Sequence, residues 1–374
     1  MNFGLNIEKG YCGMRTECEI IKEWGSDKPL LSVYCATYNH EKYIRQSIDS
    51  FLMQETDFPF EVLINDDCST DDTVKIISEY QEKYPNIIKP IFQVENQNDK
   101  GITPFVDIMM PISKGKYIAT CEGDDYWIDP LKLQKQVDFL EENPNFMGCV
   151  HATKLVKEFE ETSEVIPHNT YGKDVFTFEN YSKAECYFHT SSCVYRYEGK
   201  YKQQVDEYFK HACGDWYFSM VFSSFGPIKY INEMMSVYRI HSQGMWSAKS
   251  KEYKELANVL LCVKAIDVFA DKYQQNFYGI ILKSIKRNDM SVDKLSELLV
   301  ENLSTDNVEK MLRVLFDSIS DMQTDINEYT NTIKECNNYI KVLEESLDYE
   351  RSITLYMHIK LVLRKFYNRI MRRV

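Results

Sequence analysis

At 374 residues, the chain is long enough for one large domain with an appendage or for two domains, and a hydrophobic content of 44% supports a real core. The formal net charge of -13 argues against a general nucleic-acid binder. Eleven cysteines would suit a disulfide framework, but the number is odd, and Cys35, Cys121 and Cys149 sit in apolar runs as small core residues. Met1 to Gly10 shows no basic region followed by an apolar stretch, so the expectation is a reducing, cytoplasmic setting. Cys12 and Cys18 lack a matching Cys or His pair at zinc spacing, and no apolar run approaches the length of a membrane span.

Residues 1–29 are weakly patterned and read as an amino-terminal extension. Leu30 to Ala36 is a continuous apolar run of strand length, followed by the polar turn Thr37-Tyr38-Asn39-His40. A helix over about Glu41 to Gln54 gathers Tyr43, Ile44, Ile48, Phe51 and Leu52 on one side. Phe60 to Ile64 predicts a second strand. It ends in Asn65-Asp66-Asp67-Cys68-Ser69-Thr70-Asp71-Asp72, where Ser69 or Asp71 can cap the next helix. Pro85 closes that helix, and Ile87 to Val94 is a third strand. A polar loop over Glu95 to Gly101 and a short helix lead to a strand at Lys116 to Thr120. The acidic turn Glu122-Gly123-Asp124-Asp125 follows, then a helix opened by Pro130 and a fifth strand at Phe146 to Val150.

Strands and helices alternating at this spacing predict right-handed βαβ units and a mostly parallel sheet. The polar clusters at 37–40, 65–72 and 122–125 each follow a strand, so all three fall on one edge, where open α/β sheets bind ligands. Three carboxylates within four residues repel one another unless a cation or a proton relieves them. A hard divalent ion shared with a phosphate would do so. A solvated acidic turn that caps the following helix is the plain alternative.

Further on, Tyr187 to Arg196 reads as a strand carrying hydroxyls. Asp215 stands at the start of a helix running through Phe222, where the helix dipole is expected to lower its pKa and keep it ionised as a base. Ile228 to Ile231 and Met235 to Ile240 predict two strands, and Arg239 and His241 flank the turn after them. From about Lys251 the pattern is helical. Ile319, Met322, Ile326, Tyr329, Ile333, Cys336, Ile340, Leu343 and Leu347 form an a/d stripe, which predicts a coiled-coil helix over 319–350 and a homo-oligomer through it. The last 24 residues, 351–374, carry seven Lys/Arg and no Asp or Glu, and read as a basic amphipathic helix on a membrane surface.

These residues resemble family 2 glycosyltransferases of the GT-A fold. The resemblance rests on Leu31 to Asn39, Ile64 to Thr73 and Gly115 to Pro130, in order and spacing, and covers about 30–250. It implies a Rossmann-like sheet flanked by helices, inverting transfer of a hexosyl unit from a nucleotide sugar, commonly a UDP sugar, and a divalent ion, Mn²⁺ or Mg²⁺. Thr37 and Asp66 stand where the family contacts uracil and ribose, with Asn39 and Glu41 on the same rim. Glu122-Gly123-Asp124 takes the place of the Asp-x-Asp motif, with Glu122 for its first Asp. Asp124 is then the metal-side acid, Asp125 its neighbour, His241 a further candidate ligand, and Arg239 a residue that can close over the diphosphate. Asp215 takes the place of the general base, although Gly214 precedes it where the family commonly has Glu.

The expected partners are a nucleotide-sugar donor, a glycan or lipid-linked acceptor for surface polysaccharide, and the inner face of the cell membrane; nucleic acid is not among them. A sugar nucleotidyltransferase would show a glycine-rich phosphate loop after the first strand, and Thr37-Tyr38-Asn39-His40 has no glycine. A non-catalytic scaffold built on a transferase domain is opposed by the presence of Asp124, Asp125 and Asp215 together. For Trp127 the expectation is core packing; for Trp216, packing and a sugar-stacking role both stay open.

Overall fold

A computed structural model of the chain describes residues 15–157, 160–166, 172–210, 214–242, 244, 249–269, 271–286 and 361. Contacts divide the chain into two compact units, one of residues 1–181 and 186–241 and one of residues 182–185 and 242–374. The coiled-coil stripe at 319–347 lies outside the described residues, as does the basic tail apart from Leu361.

The first unit begins with a short helix, α1 (Glu17–Ile21), closed by a capping box between Thr16 and Glu19. Then come β1 (Leu31–Thr37), α2 (Ile44–Leu52), β2 (Phe60–Asp66), α3 (Thr73–Lys83) and β3 (Ile88–Phe92). A wide helical turn at Pro104–Met109 runs into α4 (Met110–Ile112), followed by β4 (Tyr117–Thr120), β5 (Tyr126–Trp127) and α5 (Lys132–Glu142). The later elements are β6 (Gly148–Lys157), β7 (Glu160–Ile166), β8 (Val175–Phe176), α6 (Phe178–Ser182), β9 (Val194–Arg196), α7 (Gly199–Phe209), α8 (Asp215–Ser223) and β10 (Ile228–Ile240).

The sheet runs β3-β2-β1-β4-β9-β6-β10-β5, with β7 added on β6 and β8 on β10. The first four strands pair in parallel; beyond β4 the sheet is mixed, because β9 runs antiparallel to both β4 and β6. Tyr187 to Thr190 does not extend the strand expected there. A tight turn at Thr190–Ser192 intervenes, and only Val194–Arg196 pairs. The two strands expected near 228–240 are one, because register shifts between Ile231 and Ser236 absorb the irregular stretch without ending the ladder.

The core lies between the sheet and its helices. Val33, Cys35, Val62, Ile64 and Ala119 meet Ile44, Ile48 and Phe51 of α2, Ile77 of α3, and Leu133, Val137 and Leu140 of α5. These are the helical positions that the 3.6-residue period places on one face. Burying each such aliphatic or aromatic side chain stabilises by about 1.5–3 kcal/mol. In the second unit, Ser250 caps α9 (Lys251–Val268), and α10 (Gln274–Lys286) packs back on it. Gln274 donates to the Ile266 carbonyl (3.2 Å) and Ser284 to Glu255 (3.1 Å).

Candidate active site

The parallel register brings the polar strand ends together. Thr37 stands level with Asp66, and the Gly123 N–H donates to the Ala36 carbonyl at 2.9 Å, so the acidic turn lies beside the end of β1. A Cβ on Gly123 would fall 2.7 Å from Thr37 Cβ and Oγ1, and only glycine permits that approach. The turn is held from α2, where the Ser47 hydroxyl reaches the Gly123 (2.8 Å) and Asp125 (2.5 Å) carbonyls. Thr37 Oγ1 is buried without a hydrogen-bond partner, a costly state that a bound polar ligand would relieve.

Asp66, at the end of β2, is fully buried. Its two oxygens accept from the Ser69 N–H (3.0 Å) and hydroxyl (2.5 Å), and burial raises its pKa. Ser69 therefore ties the loop to Asp66 instead of capping α3. Asp71 does the local capping, accepting from the Thr73 N–H at 3.0 Å. Asn39 holds a left-handed backbone (φ 55), which asparagine tolerates, and its Oδ1 accepts from the Thr70 N–H at 2.8 Å. The Glu41 side chain accepts from the Asp72 N–H at 3.1 Å. Asn39 and Glu41 thus brace one loop against the other on the rim.

The two adjacent aspartates face different ways. Asp124 Oδ2 lies 3.0 Å from His241 Nε2 and 3.7 Å from His40 Nε2. Burial opposes ionisation of Asp124, but the His241 hydrogen bond and the two imidazoles outweigh it and lower its pKa. Asp125, 1% exposed, accepts from the Arg239 N–H at 2.9 Å and faces His189 Nε2 at 3.6 Å. Burial, then the charges of Asp124 and Glu122, hold the Asp125 carboxyl well above the usual range. The structure therefore does not bring Asp125 to the candidate ligand group; His40, Asp124 and His241 present ligand atoms within 4.8 Å of one another. Their donor set fits a divalent cation, and His40 Nδ1 is buried without a hydrogen-bond partner.

Arg239, expected to close over a diphosphate, is engaged by protein groups in this structure. Its guanidinium donates to the Asp124 carbonyl and to Gln46, and lies over the Tyr126 ring (4.3 Å to the centroid) and the Tyr43 ring (5.3 Å). It fastens the acidic turn to α2.

Asp215 is the first residue of α8, and Gly214 before it has φ 145, a conformation open essentially to glycine. The glycine in place of Glu is thus a backbone requirement. The helix dipole does not lower the Asp215 pKa as expected. Asp215 is exposed, yet desolvation by the surrounding protein pushes its carboxyl up to about 6, above the opposing effect of its own backbone N–H. Glu122, which accepts from the Thr190 hydroxyl at 2.7 Å, is raised to about 8 by burial and then by the Asp215 charge.

The sequence reading missed His40, His189 and Thr190. His40 sat in the first polar turn beside two candidates, and that position was a usable signal; His189 and Thr190 carried none, because their turn was read as strand. Trp127 is core, 1% exposed, its indole N–H donating to the Ser191 carbonyl at 2.9 Å. The Trp216 indole donates to the Tyr181 carbonyl at 3.0 Å.

The chain belongs to glycosyl transferase family 2, whose description matches residues 32–224. A protein of Mycobacterium tuberculosis is 36% identical over 216 residues, or 58% of this chain and 60% of that protein. The Escherichia coli UDP-Glc:alpha-D-GlcNAc-diphosphoundecaprenol beta-1,3-glucosyltransferase WfaP is 34% identical over 119 residues, 32% of this chain and 44% of that protein. The chain thus spans about 60% of the mycobacterial relative and less than half of WfaP. The crystal structure of S. aureus TarS 1–349 in complex with UDP-GlcNAc superposes with a TM-score of 0.50 at 18% identity, over 77% of this chain and 80% of that one. That likeness is one of fold, and the fold is GT-A.

Proposed function

We propose that the chain is an inverting glycosyltransferase that moves a hexosyl unit from a nucleotide sugar, a UDP sugar, to a glycan or lipid-linked acceptor in surface polysaccharide synthesis. One observation carries this reading. Glu122 of the acidic turn feels the charge of Asp215 at the start of α8, while Asp124 of the same turn bonds to His241. The turn thus stands between a base side and a diphosphate side. Asp215 takes the proton of the acceptor hydroxyl as its oxygen bonds to the anomeric carbon and the bond to the diphosphate breaks. Glu122, largely protonated at neutral pH, adds no charge against the leaving diphosphate. Asp124 and His241 would hold the divalent ion, Mn²⁺ or Mg²⁺. When bound, that ion neutralises the charge on the departing diphosphate. Thr37 and Asp66 receive the nucleoside. The UDP-Glc donor and diphosphoundecaprenol acceptor in the WfaP name support the donor and lipid-linked acceptor.

The test is to incubate the purified protein with single nucleotide sugars, divalent ion and a lipid-linked acceptor, and to follow diphosphate release and transfer. Asp215→Asn should abolish transfer and leave UDP binding within about threefold. Neither binding nor release with any donor overturns the reading. The oligomeric coiled coil over 319–350 and the membrane contact of 351–374 rest on the sequence alone. Among the described residues no helix is long and apolar enough to cross a membrane. Removing residues 351–374 should release the protein from anionic vesicles.

A further inference from the structure

We infer that His40 is a third metal ligand beside Asp124 and His241, in the place the sequence suggested for Asp125. The inference rests on the transfer-site reading above and goes beyond it to the residues that hold the ion. His40 follows β1 and is fixed by its own backbone, whose N–H donates to Thr73 Oγ1 at 2.9 Å. Its ring meets His241 edge-on, with centroids 6.1 Å apart, and meets Tyr43 at 6.2 Å. Nε2 faces Asp124 Oδ2 at 3.7 Å, beyond hydrogen-bond reach, and Nδ1 is buried without a hydrogen-bond partner. The His40 side chain is only 12% exposed, and an ion shared with Asp124 would give Nε2 the partner that this distance denies it.

Asp125 is unsuited to the same ion. One oxygen accepts the Arg239 N–H and the other faces His189, whose ring stacks on Tyr238 with centroids 4.1 Å apart. Reaching the group at Asp124 would break the bond to the Arg239 backbone inside a residue that is 1% exposed.

The experiment is Mn²⁺ binding to the full chain, by titration calorimetry and by loss of the free Mn²⁺ electron-spin signal, with and without UDP and with no sugar donor present. Wild type should bind one Mn²⁺. His40→Ala and His40→Gln should each weaken Mn²⁺ at least tenfold at unchanged melting temperature, while Asp125→Asn stays within about threefold. Wild-type Mn²⁺ affinity in both His40 variants, or no Mn²⁺ binding with or without UDP, overturns the assignment. Transfer is not measured here, so a failure of the glycosyltransferase reading appears separately, as Mn²⁺ binding without sugar transfer.

Discussion

Burial and then the negative charge of Asp215 hold the Glu122 carboxyl up to about 8, and burial pushes the Asp215 carboxyl up to about 6. Two such groups titrate as a linked pair, the first proton lost raising the cost of losing the second. An acid at the start of α8 and an acid in the turn after β4 are thereby split into a base and an acid-form neighbour.

This split sets the pH profile. Asp215 works as a base only when ionised and its pKa is raised, so kcat/KM should fall as pH drops through about 6. Above about 8, Glu122 ionises beside the leaving diphosphate and kcat/KM should fall again. In Glu122→Gln the acid limb should stay and the alkaline limb should vanish. An alkaline limb that survives the substitution assigns it to another group.

Gly123 sets how closely the acidic turn approaches β1. In Gly123→Ala the new Cβ meets Thr37 Cβ and Oγ1 at 2.7 Å, so the turn or the strand end must move. Destabilisation by about 1–3 kcal/mol is expected in denaturant titrations, as for other overpacked sites. UDP affinity should fall at least tenfold, because Thr37 lies at that contact. Unchanged UDP affinity would separate Thr37 from the donor.

Arg239 is expected to act on stability before it acts on donor affinity. Arg239→Gln removes the bonds to the Asp124 carbonyl and Gln46 and the contacts with Tyr43 and Tyr126. A loss of about 1–3 kcal/mol is expected in the denaturation midpoint. A rise in donor KM with unchanged stability would instead place the guanidinium on the diphosphate.

Lys132 offers a test of the core beneath the site. Its ammonium is fully buried, donates to Gln136 Oε1 at 2.8 Å, lies 4.3 Å from the Trp127 ring centroid, and ionises at about 8 because burial disfavours the charge. The unfolded chain binds that proton below about 10.5 and the folded chain only below about 8, so the lysine weakens the fold as pH falls between the two. Lys132→Met should stabilise by about 1–3 kcal/mol below pH 8, as for other buried charges replaced by apolar groups, with the gain fading toward pH 10.5. Destabilisation at pH 7 would show that the ring contact and the Gln136 bond matter more than the desolvation.

Much of the fold was legible in the residues. The apolar runs at 31–36, 60–64 and 117–120 form β1, β2 and β4, and the spacing of Ile44, Ile48 and Phe51 marks the buried face of α2. These signals are local, because period and burial act within one element. The strand expected over 187–196 forms only at Val194–Arg196 for the same reason. His189, Thr190 and Ser191 carry hydrogen bonds to distant partners, and those shape the turn at Thr190–Ser192.

The sequence by itself determined that three polar clusters end strands on one edge of a sheet, with Asp124 in the third, and that Asp215 opens a helix. Only the tertiary structure decided which group each acid meets. Asp124 and Asp125 are neighbours in the chain, yet one faces His40 and His241 and the other faces Arg239 and His189. That division depends on where β10 packs, more than a hundred residues later, and on contacts of less than 4 Å that no local pattern encodes. Side-chain period tells which face a residue takes; the partner on that face is supplied by the rest of the fold.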